Sequence, residues 1–144
     1  MNNIKRSISI KLVGALTVFT AIGLAGGAWA SYDHQSNNAN SVRVDVVPIQ
    51  LRSGKQAKFE IRMNTHSVPL EYDLVTVSLL KDDQGREYRA SVWNGSPAGG
   101  HHRSGVLEFP LIKGNPGSVT LIIQNIANIP ERTFKWRIAP KSKE

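Results

Sequence analysis

The sequence predicts an all-β fold: an immunoglobulin-like antiparallel β-sandwich of about seven strands over residues 42–139, preceded by an N-terminal hydrophobic helix. Three observations lead there. From Val42 onward, apolar residues recur at every second position in runs of strand length. Short turns rich in glycine, asparagine and aspartate separate the runs. No stretch beyond residue 30 carries an apolar stripe of helical period.

The elements follow in order. Lys5, Arg6 and Lys11 precede an uncharged stretch at 12–30 that ends in Ala28-Trp29-Ala30, a small-residue pattern suited to a signal peptidase. Residues 1–30 thus read as a signal peptide or a retained membrane anchor, because nineteen uncharged residues just reach across a bilayer. Either way the rest of the chain is expected outside the cytoplasm: in the periplasm, at the cell surface or secreted. Residues 31–41, polar and asparagine-rich, read as a flexible stalk.

The first strand has Val42, Val44 and Val46 inward, and the second Ala57, Phe59, Ile61 and Met63. Val75, Val77 and Leu79 mark the third, and Tyr88, Ala90 and Val92 the fourth. Leu107, Phe109 and Leu111 mark the fifth, where Pro110 implies an edge or a bulge. Val119, Leu121 and Ile123 make the sixth, and Phe134, Trp136 and Ile138 the seventh. Residues 140–144 form a polar tail.

Composition narrows the function. Among 144 residues there is no cysteine, which excludes a disulfide scaffold, cysteine-ligated metal centres and a cysteine nucleophile. The net charge of +7 owes three basic residues to the leader; beyond it fifteen basic residues face eleven acidic ones, a net +4 with no dense basic run. A nucleic-acid partner is therefore not expected.

Strands that reverse at each connection place alternate connections at opposite ends of the sandwich. The tight turns at 52–55, 82–85 and 114–117 share one pole. The connections at 65–73, 94–104 and 127–132 share the other, with three of the four histidines. Long loops on a rigid sandwich are where binding sites usually sit. His66, His101 and His102 form a candidate metal-ligand set suited to copper or zinc, with Met63 as a possible thioether and Glu71 and Asp73 as carboxylates that orient the imidazoles. The same histidines also read as polar residues that order their loops. Residues 99–105 could form an anion nest with Arg103 facing the anion. No motif of nucleophile and base is present, so no catalytic residue is assigned and no enzyme is expected.

The set Asn64-Thr65-His66-Ser67-Val68, Asp73-Leu74, Trp93-x-Gly95 and Gly99-Gly100-His101-His102-Arg103-Ser104-Gly105 resembles that of small uncharacterised exported proteins of bacteria and archaea. The resemblance covers about residues 42–139 and implies a compartment, with no functional residue to transfer. Three functional readings stand. The first is an exported non-catalytic sandwich binding a small ligand, a transition metal in its sharpest form. The second is a structural or protein-binding module of the cell envelope, joined to the membrane through its N-terminal segment if that stays uncleaved. The third is a hydrolase of unrecognised type.

Overall fold

The computed structural model describes residues 32–138, and the leader and the C-terminal tail lie outside that range. Among the described residues nine strands form two antiparallel sheets. They are β1 (Gln35–Ala39), β2 (Val42–Gln50), β3 (Gln56–Thr65), β4 (Ser78–Asp82), β5 (Glu87–Arg89), β6 (Val92–Gly95), β7 (His102–Leu111), β8 (Ser118–Ile126) and β9 (Ile129–Arg137). One sheet has the order β1-β2-β3-β7-β6 and the other β5-β4-β8-β9. The chain crosses between sheets after β3, β5 and β7, so the fold is an all-β sandwich.

Period-two alternation builds the interior. Val42, Val44, Val46, Phe59, Ile61, Met63, Leu107 and Phe109 from the larger sheet are buried with Leu80, Leu121, Ile123, Phe134 and Trp136 from the smaller. Phe59 stands edge-on to Phe109 with ring centroids 5.7 Å apart and meets Trp136 at 5.4 Å, which ties the sheets together at their centre. Pro110 sits where β7 carries one extra residue between the pairs Lys58↔Glu108 and Gln56↔Leu111, a bulge that removes the need for its missing N–H.

Three expectations require correction. Residues 35–39 are not stalk but strand β1, paired with β2 from Gln35↔Val46 to Ala39↔Val42. A two-residue turn makes the pairing: Asn40 and Ser41 both have positive φ (45° and 63°), the twist that closes a tight hairpin. The inward phase of β4 is shifted by one residue. Ser78, Leu80 and Asp82 are buried, whereas Val77 and Leu79 are half-buried, because residues 73–77 form a turn before the strand starts. The run at 88–92 divides into β5 and β6 as the chain changes sheets, leaving Val92 outward.

Arg132 explains how β1 is held. It lies in phase with Phe134 and Trp136 and is fully buried. Its guanidinium donates to the Asn37 side-chain oxygen (2.7 Å), the Ala39 carbonyl (2.9 Å) and the Val42 carbonyl (3.0 Å). Further along, the Trp136 indole N–H donates to the Asp33 carbonyl at 2.8 Å. Residues 33–39 thus strap β2 to β9 across the open side of the sandwich. Burial lowers the pKa of Arg132, and the hydrogen bonds to carbonyls are what compensate its lost hydration.

This strap also moves the point where the chain joins the domain. β1 runs opposite to β2, so residue 32 lies at the tight-turn pole, where the Tyr32 hydroxyl donates to the Leu51 carbonyl. Without β1 the domain would open with residue 42 at the long-loop pole; the added strand moves its first described residue to the opposite end.

Candidate functional site

The long-loop pole is built from residues 66–77, 96–101 and the β8–β9 turn. That turn is short: Ile126 pairs with Ile129, and Ala127 and Asn128 have positive φ, so only two residues connect the strands where a loop at 127–132 was expected. The 66–77 loop starts at buried Thr65, whose hydroxyl accepts from the Ser67 and Val68 N–H groups. It closes on Asp73, whose carboxylate accepts from the Val75 N–H (3.1 Å) and the Thr76 hydroxyl (2.5 Å). The Thr76 hydrogen bond holds the Asp73 carboxyl below its ordinary pKa.

Backbone pairs weld the two longer loops together. Thr65 N–H donates to the His101 carbonyl, Leu70 N–H to the Gly100 carbonyl, and Gly99 N–H returns to the Leu70 carbonyl, at 2.9 to 3.0 Å. Gly99 and Gly100 have φ of +107° and +71°, conformations that suit glycine. Buried Leu70 and Leu74 anchor the loop into the core.

Arg103 locks this arrangement. It is 4% exposed, and its guanidinium donates to the carbonyls of Leu70 (3.0 Å), Tyr72 (2.6 Å) and Ser96 (3.4 Å). It also lies 5.6 Å from the centroid of the Trp93 ring. Trp93 in turn donates its indole N–H to the Ser96 carbonyl at 2.9 Å. Burial lowers the pKa of Arg103 and the Asp73 charge raises it in part. The anion-nest expectation therefore gives way: Arg103 turns inward onto carbonyls because it shares the inward phase of Leu107 and Phe109.

The histidines take separate surroundings. His66 and His101 are exposed in their loops. His102 opens β7, exposed, with its Nδ1 2.8 Å from the Asn64 side-chain oxygen on the facing strand. Among the described residues no group of three or more His, Asp or Glu side chains is placed to hold a metal ion, so the set His66, His101 and His102 is not assembled. Met63 is fully buried in the core and offers no thioether to the pole, and Asp73 is committed to its turn.

Composition alone did not point to the outer face of the larger sheet. A shallow depression of about 360 Å³ is lined by His34, Arg43, Asp45, Val47, Glu60 and Arg62. A neighbouring one of about 340 Å³ shares Glu60 and Arg62 and reaches Asn64, His102, Arg103 and Ser104. The charges here satisfy one another. Asp45 meets His34 at 3.0 Å and Arg43 at 2.9 Å, Glu60 meets Arg62 at 2.6 Å, and Glu108 meets Lys58 at 3.1 Å. Burial pushes the Asp45 carboxyl up, but hydrogen bonds from Ser36, Arg43 and His34 outweigh it and hold its pKa low. Such a balanced, solvated face has no net charge to attract a single-sign ligand.

Similarity to known proteins is confined to structure. No family model matches the chain, and no curated protein matches it. The fold is similar to the crystal structure of a DUF4426 family protein from Pseudomonas aeruginosa PAO1, at 17% identity and a TM-score of 0.48, over 76% of this chain and 97% of that one.

Proposed function

We propose that the chain is an exported, non-catalytic sandwich of immunoglobulin-like type that binds a partner protein of the cell envelope through its long-loop pole. The fold reading is supported by strand order. β2-β3-β7-β6 and β4-β8-β9 repeat the ABED and CFG arrangement of that architecture, with β5 added beside β4 and β1 beside β2. Export rests on the leader pattern at 1–30.

The observation that carries the binding reading is the Arg103 clamp. It fixes two loops through three carbonyls while Pro69, Glu71, Pro97 and His101 stay exposed around it. A preorganised surface loses little entropy on docking a protein, and the depression that reaches Arg103 is shallow. The test is site-specific photocrosslinking in the native host, with the probe at Glu71 or His101 and controls at Lys81 and Thr120 on the smaller sheet. Discrete adducts from the pole positions alone are expected. Equal adducts from all four positions, or none from the pole, would refute the assignment.

A further inference from the structure

The two poles differ in exposed charge. At the long-loop pole Glu71, Asp73 and Glu131 are exposed, Arg43 is exposed beside Asn64 and paired with Asp45, and the arginines Arg103 and Arg132 are buried. At the tight-turn pole Lys55, Lys113 and Arg137 are exposed, with Asp83 the acidic member nearest them; Asp83 accepts hydrogen bonds from the Gly117 N–H at 3.1 Å. Of the other acids there, Asp82 is buried and paired with Arg86 at 2.9 Å, exposed Glu87 is paired with Lys81 at 3.1 Å, and Asp33 is exposed.

Exposed apolar side chains are found at the same end. Ile49, Leu111 and Val92 are 56%, 48% and 41% exposed, the large hydrophobics that stand out among the described residues. All three lie in the last rows of the larger sheet before the tight turns. Val92, Glu108, Lys58 and Gln50 make one row, Ile49 sits in the β2 bulge beside it, and Leu111 pairs with Gln56 one step nearer the pole. Residue 32 joins the domain there, so the apolar stretch at 12–30 is separated from this end by a few residues only. The chain leaves there too, since the Ile138 N–H donates to the Gly117 carbonyl, and the sequence beyond adds Lys141, Lys143 and Glu144.

We propose that the tight-turn pole docks on an anionic lipid bilayer, with Lys55, Lys113 and Arg137 facing lipid phosphates and Ile49 and Leu111 entering the headgroup layer. Basic residues beside exposed aliphatic ones form the combination that interfacial binding requires, and each basic residue near an anionic surface strengthens partitioning about fivefold. Docking here turns the long-loop pole away from the membrane, where a partner can reach it. The inference rests on the reading of residues 1–30 as an export leader or anchor.

The absence of cysteine allows a single reporter to be placed. The full chain carrying Leu111→Cys or Glu71→Cys, each with an environment-sensitive fluorophore, is reconstituted into phosphatidylcholine vesicles with or without roughly a third phosphatidylglycerol. Lipid-borne quenchers report contact. The Leu111 reporter should be quenched in the anionic vesicles, released at about 1 M salt and little affected in neutral ones, while the Glu71 reporter stays unquenched throughout. Adding Lys55→Glu and Lys113→Glu should weaken the Leu111 quenching more than tenfold. An unquenched Leu111 reporter in anionic vesicles, or equal quenching in neutral ones, would overturn the proposal. Alkaline extraction reads the leader separately: release of the chain from the vesicles would remove the anchor while leaving the docking result intact.

Discussion

Gln35 holds Lys135 by both of its backbone groups: the Gln35 side-chain amide donates to the Lys135 carbonyl at 2.6 Å and accepts from the Lys135 N–H at 3.1 Å. One side chain thus supplies the hydrogen bonds that a neighbouring strand would have given the exposed edge of β9. Edge strands are sites of unwanted pairing, and this contact covers part of one.

Replacing Gln35 with Ala should therefore cost about 1–2 kcal/mol in urea unfolding, the value of two partly exposed hydrogen bonds. Exchange of the Lys135 amide should speed up more than that of its neighbours in β8. Removing residues 32–39 entirely should cost far more, because the buried Arg132 guanidinium would lose the Asn37 and Ala39 acceptors. Unchanged stability on that truncation would show that the strap is ornamental.

Gly105→Ala should disturb the pole from a distance. A methyl group there would lie 2.4 Å from the Gly95 Cα, 2.5 Å from the Asn94 carbonyl oxygen and 2.9 Å from the Trp93 ring. The strands must part or the indole must lift, at a cost of about 1–3 kcal/mol. Lifting Trp93 removes its contact with Arg103, so tryptophan emission and loop protection from proteolysis should change together. Gly85→Ala, which has open space but φ of +82°, should strain its turn without altering either readout.

Asp82 should set the acid limit of the fold. Burial raises its pKa, but hydrogen bonds from Arg86, Tyr88 and the Gln84 N–H hold it below the ordinary value of 3.8. A carboxyl depressed on folding contributes stability that is fully present above its unfolded pKa and is lost as pH falls through the folded one. Stability should thus stay level above about pH 5 and decline below about pH 4. Asp82→Asn should cost about 2–4 kcal/mol at pH 7 and flatten the acid decline, both read by urea unfolding.

The dispersed histidines make a prediction of their own. Titrating Cu(II) or Zn(II) into a chain of residues 31–144 should give weak binding alone, above about 10 μM, and changing His66, His101 and His102 together to Ala should not abolish it. Submicromolar binding lost in that variant would restore the metal reading, through movement of the 66–77 and 96–101 loops.

Both buried arginines were legible in the sequence through strand phase. Arg103 continues the odd-numbered inward series of Gly105, Leu107 and Phe109, and Arg132 the even-numbered series of Phe134 and Trp136. Placing Arg103 in the connection at 94–104 and Arg132 in that at 127–132 hid them; a long side chain can stay inside when carbonyls surround its head. The glycine-bearing turns were equally legible, since Gly54, Gly85 and Gly114 all have positive φ.

Strand β1 was not legible, for a physical reason. The residues Gln35 to Ala39 carry no apolar alternation, and their order comes from the amides of Gln35 and Asn37 meeting groups about a hundred residues away. The phase of β4 escaped for a similar reason: a capped turn at 73–77 uses valines and a threonine that look like strand. At the pole, chain reversal alone brought the histidine loops to one end. The separation of their imidazoles depends on loop paths that no local pattern encodes.

With residues 32 and 138 at one end, the domain responds to force in a particular way. Tension between the two ends would pull β1 and β9 apart from that end, breaking their contacts in sequence as a zipper opens. A domain gripped at opposite ends would have to shear many strand hydrogen bonds at once. Held at residues 32 and 138, such a domain would be free to swivel and present its far loops, but would make a poor tether for a load applied between those two residues.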